Sequence, residues 1–188
     1  MPKFNTPLRL AAGGIAALGL AFGVGHAVSG GTSVPVDARS EFPPFDGSGE
    51  STHCPDDPAT LERNKANVVA YYTMAFNDKE PEQAVELYGG ADYTQHNPLA
   101  DNGFEAFIGF VNSITGDFPD LNIDIKRVFA ECDFVITHGV LSGAEPVFGE
   151  LGNKVVDIFR LDEDGKIVEH WDVLAPISAE SENGNPEV

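Results

Sequence analysis

Apolar residues recur at helical spacing from Leu61 onward. Leu61, Val68, Val69, Tyr72 and Phe76 share one stripe, with Thr60 as the N-cap, which predicts a long first helix. Glu80-Pro81-Glu82 opens a short second helix reaching about Tyr88. Proline is tolerated in a first turn, and acids suit the positive helix end. Gly89-Gly90 ends that helix, and Gly103 to Ile114 reads as a third, carrying Phe104, Phe107, Ile108 and Val111. The period then changes to two. Leu121 to Ala130 alternates, as does Phe134 to Leu141, with Cys132-Asp133 at the turn between them. Lys154 to Leu161 and Ile167 to Leu174 form a hairpin around Asp162-Glu163-Asp164-Gly165. Helices first and antiparallel strands last make an α+β pattern.

Side chains alternate across a sheet, so the strands assign faces. On the last strand Val168, His170, Asp172 and Leu174 share one face, and Ile167, Glu169, Trp171 and Val173 the other. Phe134, Ile136, His138 and Val140 share a face on the second strand. Both faces of the terminal hairpin carry large apolar groups. One should cover the helices. The other, read as bearing Trp171, Val173, Phe159 and Leu161, is expected to be covered by a second copy of the chain in a homodimer. A loop or tail folding over it is the alternative.

Outside these elements the chain divides by composition. Lys3 and Arg9 precede an uncharged, small-residue apolar run from Leu10 to Gly25, and Gly25-His26-Ala27 offers small residues where a signal peptidase reads. Residues 1–27 therefore read as a signal peptide and the protein as secreted or periplasmic, an uncleaved anchor being the second choice. The run falls short of the roughly 20 apolar residues that span a bilayer. Residues 28–58 hold Pro35, Pro43, Pro44, Pro55 and Pro58 among Gly, Ser and Asp, the composition of a flexible linker. The domain is placed at 59–177, and 178–188 as a disordered polar tail.

Charge narrows the function classes. The 188 residues carry 30 acidic and 11 basic side chains, a net charge of −19. Phosphates attract Lys and Arg, so neither a nucleic-acid groove nor an anionic membrane surface is expected as partner. The two cysteines are too few for a disulfide scaffold. Export permits oxidation, and a Cys54–Cys132 disulfide is expected to tie the linker to the hairpin turn.

The candidate chemistry centres on His170-Trp171-Asp172. This spacing sets an imidazole and a carboxylate on one strand face among apolar neighbours, where a carboxyl can exchange a proton near neutral pH. The bland alternative is an edge pair facing water. His-x-Asp also begins a two-His-one-carboxylate iron site, but no His follows Asp172, and only His96 or His138 could complete it from upstream. No metal or cofactor is expected. His138 lies on an otherwise apolar strand face, where a lone His is more often a satisfied core residue. Tyr93-Thr94-Gln95-His96-Asn97-Pro98 reads as a polar rim at a pocket mouth, or as local loop capping. Ser142-Gly143 is not in a nucleophile elbow, and no phosphate-cradling glycine loop follows a strand.

Four stretches carry a resemblance. They are Asn64-Lys65-Ala66-Asn67-Val68-Val69 with Phe76-Asn77, Tyr93 to Pro98, Asp157-Ile158-Phe159-Arg160-Leu161, and Gly165 to Val173. In this order, over roughly residues 61 to 175, the chain resembles the SnoaL-like proteins, described as polyketide cyclases or aldol-condensation enzymes. The resemblance implies the nuclear transport factor 2-like fold, a curved antiparallel sheet wrapped on about three helices into a cone with a pocket. It implies metal-free acid/base chemistry, with Asp172 at the acid/base position, His170 orienting it, and His96 and His138 lining the cavity. Tyr93, Gln95, Asn97 and Trp171 are the expected substrate contacts. Relatives often carry His-x-His where this chain has His138-Gly139-Val140. Two functions are open: a cofactor-free enzyme acting on a small carbonyl compound, and a non-catalytic small-molecule-binding module of the same fold.

Overall fold

The computed structural model describes residues 53–55 and 57–188. The signal-peptide assignment and most of the linker assignment lie outside the described residues. Helix α1 runs Pro58–Tyr72. Its N-cap is Asp57 rather than Thr60, because the Asp57 carboxylate accepts from Ala59 N and from the Thr60 hydroxyl, while Pro58 takes the first turn. The predicted single long helix widens after Tyr72 into one π-helical turn, Thr73–Asn77. Asn77 then pins the start of the second strand, donating to Ile123 O and accepting from Ile123 N. Helix α2 (Pro81–Tyr88) and helix α3 (Phe104–Asp117) follow the sequence reading closely. No helix among the described residues is long and apolar enough to cross a membrane.

Strands β1 (Gly89–Gln95), β2 (Asn122–Glu131), β3 (Phe134–Ser142), β4 (Asn153–Leu161) and β5 (Ile167–Pro176) form one curved, unclosed sheet in the order β1-β5-β4-β3-β2. A one-turn helix, α4 (Glu145–Phe148), bridges β3 and β4. The architecture is α+β, as expected. Strand β1 is an addition, since the sequence pattern predicts only a helix stop and a polar loop there. It runs parallel to β5, with Thr94 opposite Glu169 and Gln95 opposite His170. Gly90 allows the close approach, since a Cβ there would sit 2.6 Å from Val168 Cγ1.

The concave face packs on the helices. Val68, Tyr71, Tyr72, Ala75, Phe76, Phe107 and Val111 from the helical layer meet Val135, Val155, Phe159, Leu161 and Ile167 from the sheet. Aromatic rings interlock here, with Tyr72 edge-on to Phe159 at 4.9 Å and Tyr71 stacked on Phe107 at 5.0 Å. The face assignment of Phe159 and Leu161 is corrected. Direct cross-strand partners share a face, and Phe159 opposes His170 while Asp157 opposes Asp172. Phe159 and Leu161 are therefore fully buried on the concave side. An irregularity between Arg160 and Leu161 sets Leu161 against Ile167 and brings Ile167 inside as well. Trp171 and Val173 remain outward, beside Ile158, Val156, Ile136 and Phe129.

Residues 178–188 form no helix or strand; Ser178 N and Lys154 Nζ both reach Glu187. The expected Cys54–Cys132 disulfide is present and spans 78 residues of sequence. It anchors the segment before α1 to the β2–β3 turn, where His53 also lies 3.7 Å from Asp133. Closing so long a loop removes much denatured-state freedom, so replacing both cysteines with serine should lower unfolding stability by about 2–5 kcal/mol. Denaturant titration reads this directly, and equal midpoints for the two proteins would refute the structural role.

Candidate functional site

The concave face is built in cross-strand rows. One row aligns Val135, Phe159, His170 and Gln95 across β3, β4, β5 and β1; the next aligns Thr137, Asp157 and Asp172. Period-two alternation therefore sets the polar Thr137–Asp157–Asp172 row beside a mixed one, in which Val135 and Phe159 lead to His170 and Gln95. His170 and Asp157 are 4 % and 2 % exposed, so neither can rely on water. Their partners come from three elements. The Tyr72 hydroxyl, at the end of α1, lies 2.9 Å from His170 Nε2 and donates to Asp157 Oδ1 at 3.0 Å. Thr137 donates its hydroxyl to Asp157 Oδ2 at 2.9 Å, and His170 Nε2 lies 3.2 Å from Asp157 Oδ1. His170 Nδ1 faces Gln95 Oε1 at 3.1 Å.

Asp172 sits half-buried at the open side of the same row, with exposed Val173 and Leu174 beyond it. Asn97 Nδ2 donates to both of its oxygens, at 3.0 and 2.8 Å. Asp157, His170 and Asp172 each offer an atom within 4.8 Å of the other two. A cation there would compete with the hydrogen bonds that Tyr72, Thr137, Gln95 and Asn97 already make to these three residues. The iron set considered from sequence does not form, because His96 and His138 lie on the other face.

That placement corrects the two upstream histidines. His138 opposes Arg127 and Val156, and its Nδ1 lies 3.0 Å from Arg127 Nη1. It is Thr137, one residue earlier, that points at Asp157. His96 stacks flat on Trp171 at 4.5 Å and bonds Glu169 at 2.7 Å, and Arg160 holds the other Glu169 oxygen. Burial would raise the Glu169 carboxyl, but the His96 and Arg160 hydrogen bonds outweigh it and hold it below the usual carboxylate range. Neither histidine lines the concave site, and Trp171 lies with His96 on the convex side.

Tyr93, Gln95 and Asn97 do belong to the concave cluster, as its supports. Gln95 Nε2 donates to the Tyr93 hydroxyl at 3.1 Å, and Asn97 N donates to Gln95 Oε1 at 2.9 Å. Burial pushes the Tyr93 phenol upward, with the Asp172 and Asp157 charges adding to it. Burial likewise raises Tyr72, assisted by the Asp157 charge, so both phenols stay protonated. The rings around His170 are close-packed, with Phe159 at 4.8 Å and Tyr72 at 6.1 Å. Surface clefts among the described residues lie elsewhere. One is lined by Val140, Leu151 and the tail, another by Ala91, Asp92, Arg160 and Asp162.

Sequence reasoning missed Asp157, Tyr72 and Thr137. Asp157 had a readable signal: it is the one charge on the alternating face of Val155, Phe159 and Leu161. Tyr72 read as a core aromatic, which its ring is; only its hydroxyl is chemical. Thr137 had no signal until register placed it beside Asp157.

A family model described as a SnoaL-like domain matches residues 68–170, which include Tyr72, Gln95, Asn97, Asp157 and His170. No curated protein matches. A solved structure from Jannaschia sp. CCS1, assigned as a SnoaL-like polyketide cyclase, is 19% identical with a TM-score of 0.53, covering 64% of this chain and 90% of its own. One from Acidithiobacillus ferrooxidans, assigned as a polyketide cyclase, is 18% identical with a TM-score of 0.51, covering 60% of this chain and 87% of its own. A SnoaL-like protein of unknown function from Burkholderia thailandensis E264 is 15% identical with a TM-score of 0.51, covering 64% and 99%. At such identities these likenesses speak for the fold alone, the curved nuclear transport factor 2-like cone. The family match spans more than half of the chain, and the chain belongs to the SnoaL-like family.

Proposed function

We propose that the protein is a cofactor-independent acid/base enzyme acting on a small carbonyl compound, in a reaction of the aldol condensation or cyclisation type. The observation that carries this reading is the meeting of Asp157, His170 and Asp172 within 4.8 Å on the concave face. Asp172, at the accessible end, removes or returns a proton α to the carbonyl. His170 and Asp157 stand behind it, fixed by Tyr72 and Thr137. Preorganised donors near a developing enolate oxygen lower its energy without reorganisation. Membership of the SnoaL-like family supports the same class. The non-catalytic binding module remains the second reading, favoured by the close packing of Tyr72 and Phe159 around His170.

Deuterium exchange tests this without a known substrate. In D₂O, a panel of small 1,3-dicarbonyl compounds should exchange α-protons faster with the protein than with buffer. Asp172→Asn should keep the fold and lower that rate by roughly 10²-fold or more, the scale of losing a general acid/base. Full exchange activity in folded Asp172→Asn would remove Asp172 from the mechanism, and binding without exchange across the panel would select the binding module.

We place the working protein outside the cytoplasm, with residues 1–27 removed on export. The charged start, apolar run and Gly25-His26-Ala27 support this. N-terminal sequencing of exported protein should begin at Val28; an intact Met1 there would sink the assignment.

We further infer a homodimer through the convex face. Val173 is 70 % exposed and Phe129 58 %, and they flank a continuous apolar surface with Ile136, Val156 and Trp171. Val173→Asp should weaken association at least tenfold in sedimentation velocity. A wild-type monomer at all working concentrations would defeat the inference.

A further inference from the structure

We infer that Gln95 is a positioning residue that fixes the ring of His170 with its proton on Nδ1, leaving Nε2 as the only nitrogen that exchanges a proton with the cluster. This deepens the acid/base reading above and takes its catalytic meaning from it. Gln95 was expected from sequence to touch substrate; its side chain is instead engaged on three sides within the protein.

The deduction rests on which groups can only donate. A glutamine amide can be placed either way round, so its contacts must decide. The backbone N–H of Asn97 only donates, and it points at Gln95 from 2.9 Å, so the atom facing it is the carbonyl oxygen Oε1. The amide nitrogen then faces the Tyr93 hydroxyl at 3.1 Å, a group able to accept. His170 Nδ1 lies 3.1 Å from the same Oε1. A carbonyl oxygen cannot donate, so Nδ1 must carry the hydrogen. The chain from Asn97 N through Gln95 to His170 thus has one consistent direction.

At the other side of the ring, Nε2 meets the Tyr72 hydroxyl at 2.9 Å and Asp157 Oδ1 at 3.2 Å. An Nε2 hydrogen finds an acceptor in either neighbour, whereas a bare Nε2 is served by the Tyr72 hydroxyl alone, since the Asp157 carboxylate cannot donate. Without a proton, Nε2 accepts from the Tyr72 hydroxyl. With one, it donates to Tyr72 Oη or to Asp157 Oδ1, while the Tyr72 hydroxyl turns its own hydrogen to Asp157. The ring gains and loses its proton at Nε2 without breaking the Gln95 bond or changing its orientation. Strand β1 makes this possible, since its parallel register sets Gln95 directly beside His170. Asn97, two residues on, uses its side chain to hold Asp172, so one strand end aligns both groups.

The test is the nitrogen NMR of the His170 ring in full-length protein, assigned by its loss in His170→Asn. The wild type should show a protonated, pyrrole-type Nδ1. Gln95→Glu keeps an oxygen acceptor and should retain that signature. Gln95→Leu removes the acceptor and should lose it, with the hydrogen shared with or moved to Nε2, while backbone spectra show an intact fold. A wild-type ring protonated on Nε2 alone overturns the inference, as does a folded Gln95→Leu protein with an unchanged ring. Should neither variant fold, the wild-type signal decides by itself. Failure of the acid/base reading is separable: the signature would stand while no α-proton exchange is found.

Discussion

One carboxylate organises the interior. Asp157 lies on the apolar face of β4, nearly sealed from water, and an isolated charge there would be very costly. Its partners therefore determine what may surround it. Thr137 on β3 supplies one hydroxyl, Tyr72 at the end of α1 another, and His170 on β5 an imidazole. Three elements must arrive in one register to satisfy it. A slip by one residue would turn Asp157 outward and set Ile158 in its place, so the polar row fixes the same register that the apolar rows on either side require.

The helix end answers the same constraint. Tyr72 is the last residue of the α-helical segment, and the chain widens into a π turn immediately after it. Such turns occur often where a side chain must be aimed rather than merely packed. Here the ring of Tyr72 stays in the aromatic cluster against Phe159 and Phe76 while its hydroxyl reaches the polar row. One residue thus serves both the core and the cluster, which explains why apolar periodicity detects it and hides its second role.

Much of the architecture was legible because periodicity reports burial. Helices α1, α2 and α3 and four of the strands follow from apolar spacing, and the His170–Asp172 pair from alternation on β5; the one-turn α4 does not. What stayed hidden depends on pairing. Strand β1, with the sequence Gly-Gly-Ala-Asp-Tyr-Thr-Gln, buries only Tyr93 and spends its polar groups on neighbours, so no alternation marks it. Faces within one strand were readable, but which face of β4 meets which face of β5 depended on register, and Phe159 was misplaced for that reason. His138 and Thr137 illustrate the same limit at single-residue scale. Adjacent in sequence, they look in opposite directions, and only the β2 and β4 partners say which one faces the cluster.

The polar segment 93–97 shows how a stretch that reads as a rim can be a support. In the structure Gln95 bonds His170, the Tyr93 hydroxyl and Asn97 N, and the Asn97 side chain bonds Asp172 and Leu99 N. The segment's composition suits a supporting role, because amides both donate and accept. Each can take an orientation from one neighbour and impose it on the next. Asn97 orients Gln95 through a backbone N–H, Gln95 orients His170, and the side chain of Asn97 orients Asp172. Backbone register is the origin of this sequence of constraints, so the direction of a ring proton on β5 follows from the pairing of β1 at the sheet's edge.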